Sequence, residues 1–305
     1  MPPGEDAAVL RVKGTRKAIA LTTDGNGRYC YLDPYLGGAI AVAEAARNLV
    51  CTGAEPLALT DCLNLGNPER AEIYYQLEQS IGGMASACSA LNIPVISGNV
   101  SLYNETKGEA VYPTPVVGMV GLIEDIDRRC TMRFKHDGDI VVLLGEGESG
   151  LGGSEYLELI HDKVAGNPGI DLELEKRVQR CCLDAIRQGL LSSAHDCSDG
   201  GLAIALAECC IAGEVGFQGR IGVENRLDAA LFGEGQSRIV ASIKPALLEK
   251  LKRLAAGHKV KLEGLGVVEG KRFILEGVVD LPLKEAEKAW RGGLEGALGF
   301  GFSRK

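Results

Sequence analysis

Short apolar runs that end in glycine-bearing polar loops, each leading into a stretch of helical periodicity, recur along the whole chain. This pattern restricts the fold to alternating strands and helices with polar groups delivered to strand ends. Glycine supplies 41 of the 305 residues, about twice its usual 7% share, and it is spread over many short loops rather than one low-complexity tract. Backbone that turns tightly or approaches a ligand is the expected use. At roughly 150 residues per domain the length corresponds to about two domains. With no repeat of about 20–50 residues, two mixed units of sheet and helix are expected.

Residues 8–12 and 18–23 read as strands, with a turn over Asp24-Gly25-Asn26-Gly27. Leu36, Ile40, Ala43, Ala46 and Val50 share one helical face and predict a helix over 36–52 that Gly53 ends. A strand over 56–63 follows, then a helix over 69–91 that begins after Pro68 and carries Ile73, Leu77, Ile81, Met84, Cys88 and Leu91 on one face. Strands are expected at 94–97 and 109–124, separated by a polar loop at 103–108. Periodicity fades over 128–139, which places a domain boundary there. Beyond it the pattern gives helices at 153–164, 172–189, 201–212, 245–256 and 282–298, with strands at 140–144, 193–196, 217–221, 238–243, 261–268 and 272–275.

A formal net charge of −8 with scattered basic residues lacks the footprint that nucleic-acid binding requires. The longest apolar runs, 116–123 and 140–144, fall far short of the roughly 18–20 residues of a membrane span, and Pro2-Pro3-Gly4-Glu5-Asp6 is no signal peptide. A cytoplasmic protein is expected. None of the ten cysteines forms a C-x-x-C pair, so reduced, buried thiols are expected instead of disulfides or zinc. His136, His161 and His258 lack metal-ligand spacing and read as surface residues.

Five segments bear polar chemistry. Asp61-Cys62-Leu63-Asn64-Leu65-Gly66-Asn67-Pro68 ends a strand; Asn67 serves equally as a turn or helix cap, which leaves Asp61 and Asn64 without an assigned task. Ser97-Gly98-Asn99-Val100-Ser101 ends the next strand, where glycine admits a phosphate and the neutral oxygens suit Mg²⁺ or a polar substrate, unless Asn99 simply closes a turn. Leu151-Gly152-Gly153-Ser154-Glu155-Tyr156 opens a helix and offers N–H groups to an anion, without the lysine of a P-loop. Ala194-His195-Asp196-Cys197-Ser198-Asp199-Gly200-Gly201-Leu202 places acids and a histidine at a strand-to-helix junction, with Asp199 a candidate cap. Adjacency rules out triad geometry there. Leu231-Phe232-Gly233-Glu234-Gly235-Gln236-Ser237-Arg238 is either a ligand loop or a solvated one.

Together these segments, with the 3–10 run and Gly27-Arg28-Tyr29-Cys30-Tyr31-Leu32-Asp33-Pro34-Tyr35, resemble the synthetase subunit of phosphoribosylformylglycinamidine synthase, in the superfamily of aminoimidazole ribonucleotide synthetase and selenophosphate synthetase. The resemblance covers nearly the whole chain and matches the second of the family's two homologous halves. The 151–156 and 195–202 runs are shared across the superfamily, whereas 61–68, 98–101 and 29–35 are specific to the purine enzyme. It implies an α+β, two-domain PurM-like unit: residues 1–133 as an ATP-binding domain of mixed sheet and helix that pairs into a barrel, and residues 138–305 as an α/β-sandwich-like domain. The family's histidine-rich catalytic run belongs to the first half; here Leu32-Asp33-Pro34-Tyr35 stands in that place.

The resemblance further implies that Asp61 and Gly98 contact ATP, that Asn99 ligates Mg²⁺ and that Ser101 contacts formylglycinamide ribonucleotide, in a site completed by the first half. A pseudo-symmetric auxiliary nucleotide site would use Arg47, Asn48, Asp196, Glu234 and Gln236. Asn48 stands where the catalytic half has a metal-binding aspartate, so that site is expected to be structural. Gly235 replaces a usual serine and Leu65 a usual phenylalanine. The implied reaction is ATP-dependent amidation with ammonia from a glutaminase subunit, aided by a small bridging subunit, and homodimerisation through the N-terminal domain where the first half is absent. Two alternatives stay open: a non-catalytic nucleotide-binding assembly module, and a stand-alone kinase such as selenophosphate synthetase, which would need a reactive cysteine and lysine near the start of the chain.

Overall fold

The computed structural model describes residues 5–146, 150–223 and 226–298. Its first part runs β1 (Ala8–Arg11), β2 (Ala18–Asp24), α1 (Gly27–Leu32), α2 (Pro34–Cys51), β3 (Glu55–Asn64), α3 (Ala71–Leu91), β4 (Val95–Ser101), the short hairpin β5 (Glu105–Thr106) and β6 (Glu109–Ala110), and β7 (Thr114–Ile123). Strands pair in the order β1-β2-β7-β3-β4, antiparallel except for the parallel edge pair β3/β4. One face of this sheet packs on α2 and α3. Buried and half-buried residues alternate along β7, and Ala18 and Ala20 of β2 point inward while Ile19 and Leu21 stay exposed, so the opposite face is uncovered.

The entry to α2 explains its start: the Asp33 side chain accepts from Leu36 N at 2.9 Å, and Pro34 occupies the first turn, where its missing N–H costs nothing. Close crossing of α2 and α3 depends on glycine, since a Cβ at Gly38 would overlap the Ser80 carbonyl and one at Gly83 the Tyr35 carbonyl.

The second part runs β8 (Ile140–Gly145), α4 (Glu155–His161), α5 (Leu172–Arg187), β9 (Leu191–Asp196), α6 (Gly201–Gly213), β10 (Phe217–Gly219), α7 (Leu227–Phe232), β11 (Arg238–Ile243), α8 (Leu248–His258), β12 (Leu262–Val268), β13 (Arg272–Leu275), β14 (Val279–Pro282) and α9 (Leu283–Ala297). Its sheet has the order β14-β13-β10-β12-β8-β11-β9. Val142 and Leu144 of β8 join a core with α5 and α8, while Val141 and Leu143 face α6. Coverage on both faces is why β8 and β11 read as unbroken apolar runs. Val50 and Cys51 of α2 enter that first core, so the two sheets share packed interior.

Several expectations shift. The turn at 24–27 continues into α1, and α7, β14 and the β5/β6 hairpin escape the periodicity. The 109–124 strand divides, with β7 beginning only after Pro113. β4 extends through Ser101 instead of ending at Ser97, because Gly98 and Asn99 mimic a turn while their backbone continues to pair with β3. The helix expected from Pro68 starts at Ala71 without a side-chain cap. All ten cysteines are free thiols and all but Cys62 are buried.

Candidate functional site

The β3/β4 pair sets Asp61 opposite Gly98, Cys62 opposite Asn99, and Asn64 opposite Ser101. Side chains alternate along a strand, so register alone sorts these residues by face. Asp61 and Gly98 lie toward the helices: burial, and then the charge of Asp61, raises the Cys88 thiol on α3, and burial raises the Asp61 carboxyl itself. A Cβ at Gly98 would sit 2.7 Å from Asp61 Oδ1. Cys62, Asn64, Asn99 and Ser101 share the uncovered face. Asn99 Nδ2 donates to Cys62 Sγ at 3.6 Å, and Ser101 is held by Asn104. The structure therefore brings the four residues carried over from the family to one place but onto two faces. A single ligand touching all four wraps the open edge of β4, and Gly98 is where no side chain obstructs it.

On the open face β3 and β4 offer only neutral donors: Thr60, Asn64, Ser97, Asn99 and Ser101. Among the described residues no group of three or more His, Cys, Asp and Glu is arranged to hold a metal. Neutral oxygens fit a Mg²⁺ ion that arrives on nucleotide phosphates, which supply the charge; they do not fit the free ion.

Asn67 makes a local turn, accepting from Glu69 N at 2.8 Å, and caps no helix. Asn64 is fully employed on its nitrogen side, donating to the Cys62 and Thr114 carbonyls at 3.0 and 3.2 Å.

The second cluster lies between the sheets. Arg47, without solvent exposure, donates from Nη1 to both Glu175 oxygens (3.0 and 2.9 Å), from Nη2 to Asp196 Oδ2 (3.2 Å) and Gln236 Oε1 (2.9 Å), and from Nε to Asp196 Oδ1. A guanidinium has five N–H groups, and all are spent. Burial opposes its charge, but Asp196 and Glu175 outweigh that and hold the guanidinium well above its ordinary value. Nearby acids are short of cations. Burial, then the charge of Asp196, pushes Asp24 up to about 7, and burial, then Asp24, raises Glu44 well above its usual range. Asn48 donates to Asp24 Oδ2 at 3.0 Å.

Glu234 closes the anion receptor expected at 151–156. Its Oε1 accepts from Glu155 N at 2.9 Å and Gly200 N at 2.8 Å, and its Oε2 from the Tyr29 hydroxyl at 2.6 Å. The 231–238 loop is no solvated turn, for Glu234, Gln236, Ser237 and Arg238 are all buried. Asp199 caps nothing; Gly200 occupies the cap position of α6 without a side-chain bond. His195 bridges Asp6 (2.9 Å) and Glu208 (3.2 Å), whose charges keep it protonated although burial opposes this. A cleft of ≈ 1000 Å³ beside this cluster is lined by Tyr29, Gly152, Asp171, Glu234 and Gln236, among others.

Sequence reasoning passed over Asp6, Asp24, Tyr29, Glu44 and Glu175. One signal asks for distant acids without saying which: Arg47 stands in an alanine-rich helix with no neighbouring acid but Glu44, and a buried guanidinium demands carboxylates from elsewhere. Pro3 and Gly4 of the family-like N-terminal run lie outside the described residues.

Models of the AIR synthase related protein family match twice: its N-terminal domain over residues 4–123 and its C-terminal domain over residues 136–277. The phosphoribosylformylglycinamidine synthase subunit PurL of Caldanaerobacter subterraneus is 54% identical over 295 residues, which is 95% of this chain and 40% of that protein. Among solved structures, T. maritima PurL complexed with FGAR superposes with a TM-score of 0.79 at 20% identity, covering 92% of this chain and 47% of the other. T. maritima PurL complexed with ATP gives 0.74 at 19%, covering 92% and 46%. At such identity the likeness carries the fold. The chain spans about two fifths of the length of the curated relative, and it belongs to the AIR synthase related family.

Proposed function

We propose that this member of the AIR synthase related family acts as the second half of a phosphoribosylformylglycinamidine synthase synthetase subunit, with residues 1–133 and 138–305 as its two domains. The reaction converts formylglycinamide ribonucleotide, ATP and ammonia to the amidine, ADP and phosphate in the cytoplasm. The chain's own part is to bind and orient. Asp61 and Gly98 contact ATP from the helix side of the β4 edge, while Asn99 and Ser101 contact metal and substrate from the open side. Mg²⁺, when bound, screens phosphate charge and holds the transferred group in line.

The observation that carries this reading is the register of β3 and β4, which puts Asp61 beside Gly98 and Asn99 one step on, at an edge and face left uncovered. A first-half partner completes the site there, and a glutaminase with a small bridging subunit supplies ammonia. The Arg47 cluster serves as a structural counterpart of the nucleotide site, since Arg47 has every N–H filled from within the chain and both Glu234 oxygens already accept from Glu155, Gly200 and Tyr29. A selenophosphate-synthetase-like role is disfavoured: Cys30 is fully buried, and its thiol is pushed up to about 12 chiefly by burial, the opposite of a reactive nucleophile.

None of Asp61, Gly98, Asn99 and Ser101 suits proton transfer near neutral pH, and a general base is worth roughly 100- to 10,000-fold. The isolated chain therefore makes no product. Incubation with formylglycinamide ribonucleotide, ATP, Mg²⁺ and ammonium salt should yield neither ADP nor amidine until the first half is added. Turnover by the chain alone would defeat this reading.

A further inference from the structure

Cys62 differs from the other nine cysteines in being only half-buried, on the uncovered face and in register with Asn99. Its Sγ, at 3.6 Å, is the one hydrogen-bond partner of the Asn99 side chain among the described residues. Asn64, two positions along β3, turns its Nδ2 the same way, to the Cys62 carbonyl at 3.0 Å, to Thr114 O at 3.2 Å and to Cys62 Sγ at 3.7 Å. A carboxamide donates from one end and accepts at the other. With both nitrogens engaged against β3 and β7, both Oδ1 atoms are left without a partner within the described chain.

We infer that Cys62 is a positioning residue: its thiol accepts an amide N–H of Asn99 and so turns Asn99 Oδ1 toward a divalent cation carried on a nucleotide, while the Cys62 and Thr114 carbonyls hold the Asn64 amide with its Oδ1 free to join as a second ligand. The inference rests on the reading of Asn99 as a metal ligand and adds Asn64 as a second. A reversed amide would aim N–H groups at the cation and repel it, so the orientation of each amide decides whether it is a ligand at all. Groups that orient metal ligands in this way commonly affect affinity by about 10- to 100-fold. Sulfur is a weak acceptor, so the effect here sits at the lower end.

The test uses the chain labelled with ¹⁵N-asparagine, combined with the unlabelled first half and titrated with Mn²⁺·ATP, reading paramagnetic broadening of the side-chain NH₂ signals, which requires no turnover. In the wild type the signals of Asn64 and Asn99 should broaden first. Cys62→Ala should raise the half-broadening concentration at Asn99 by about 5- to 10-fold, and Cys62→Ser, which keeps an acceptor, should stay within about twofold. Asn64→Ala removes one oxygen without touching the core, and it should raise the value at Asn99 by a similar factor. An unchanged value in Cys62→Ala or Asn64→Ala overturns the inference while leaving Asn99 as a ligand. Absence of selective broadening at both asparagines in the wild type overturns the ligand reading itself, and the inference with it.

Discussion

Arg47 and Asp196, 149 positions apart in sequence, meet in a two-point contact of Nε and Nη2 with the two carboxylate oxygens, and each is at most 1% exposed. With Glu175 on Nη1, this contact joins α2 of the first sheet to β9 and α5 of the second. Such a pair is poor evidence of net stabilisation, since desolvation offsets much of the attraction, but removing one partner leaves the others charged and dry.

Arg47→Met should accordingly destabilise the chain by about 3–5 kcal/mol. Urea unfolding followed by circular dichroism measures it. A loss below about 1 kcal/mol, the range of a surface pair, would mean that water reaches Glu175 and Asp196.

Asp24 gives a pH dependence of definite sign. Its carboxyl is raised from 3.8 to about 7 by burial and by the charge of Asp196, so the fold keeps a proton that the unfolded chain has already lost. Its contribution to stability is full below about pH 4 and declines as pH rises to about 7, by at most about 1.4 kcal/mol per pH unit. Asp24→Asn should gain on the wild type between pH 5 and about pH 7 in urea melts and level off above that. A constant difference across that range would show Asp24 ionised in the fold.

At the β4 edge, Asp61→Ala should raise the KM for ATP in the reconstituted enzyme, and Asn99→Ala should lower Mg²⁺-dependent turnover. Each loses a charge-assisted contact worth about 1.5–3 kcal/mol, or roughly 10- to 150-fold. Gly98→Ala should mimic Asp61→Ala, because its Cβ would displace the Asp61 carboxylate. Normal kinetics in Asp61→Ala and Asn99→Ala would refute the assignment of both residues.

The uncovered sheet face should pair with a second copy when no first half is present. Leu10, Ile19 and Leu21 on β1 and β2 and Leu57 on β3 are exposed on the first sheet, whose opposite edge, β4, exposes Val95 and Ile96. Sedimentation should show a dimer at micromolar concentration that Leu21→Glu converts to a monomer. A wild-type monomer would leave that face without the proposed role.

The long helices were legible because their apolar spacing persists over several turns: α2 and α5 begin within two residues of their expected starts. α1 was not, for six residues are too few to show a period, although its Asn26 cap lay within the expected turn. By sequence Gly98 and Asn99 form the loop after a strand, whereas in the fold they are strand. That difference of four residues decides which face each side chain occupies, and local propensity carries no information about a partner strand. Glu175 could not be found at all, since Leu172-Glu173-Leu174-Glu175-Lys176 reads as a solvated amphipathic turn until Arg47 arrives from another part of the chain.

The charged seam between the sheets makes the molecule hard to subdivide. A fragment ending before β8 would present Arg47 as a cation with five idle donors on a bare helix, and would leave Asp6 without His195. The complementary fragment would inherit Glu175 and Asp196 as unbalanced anions, together with a hydrophobic pocket vacated by Val50 and Cys51. Neither piece has a route to a stable surface by minor repair. Gene fusion, duplication or recombination that preserves function must therefore carry both sheets as one cassette, with its breakpoints outside the seam rather than in the connector between them.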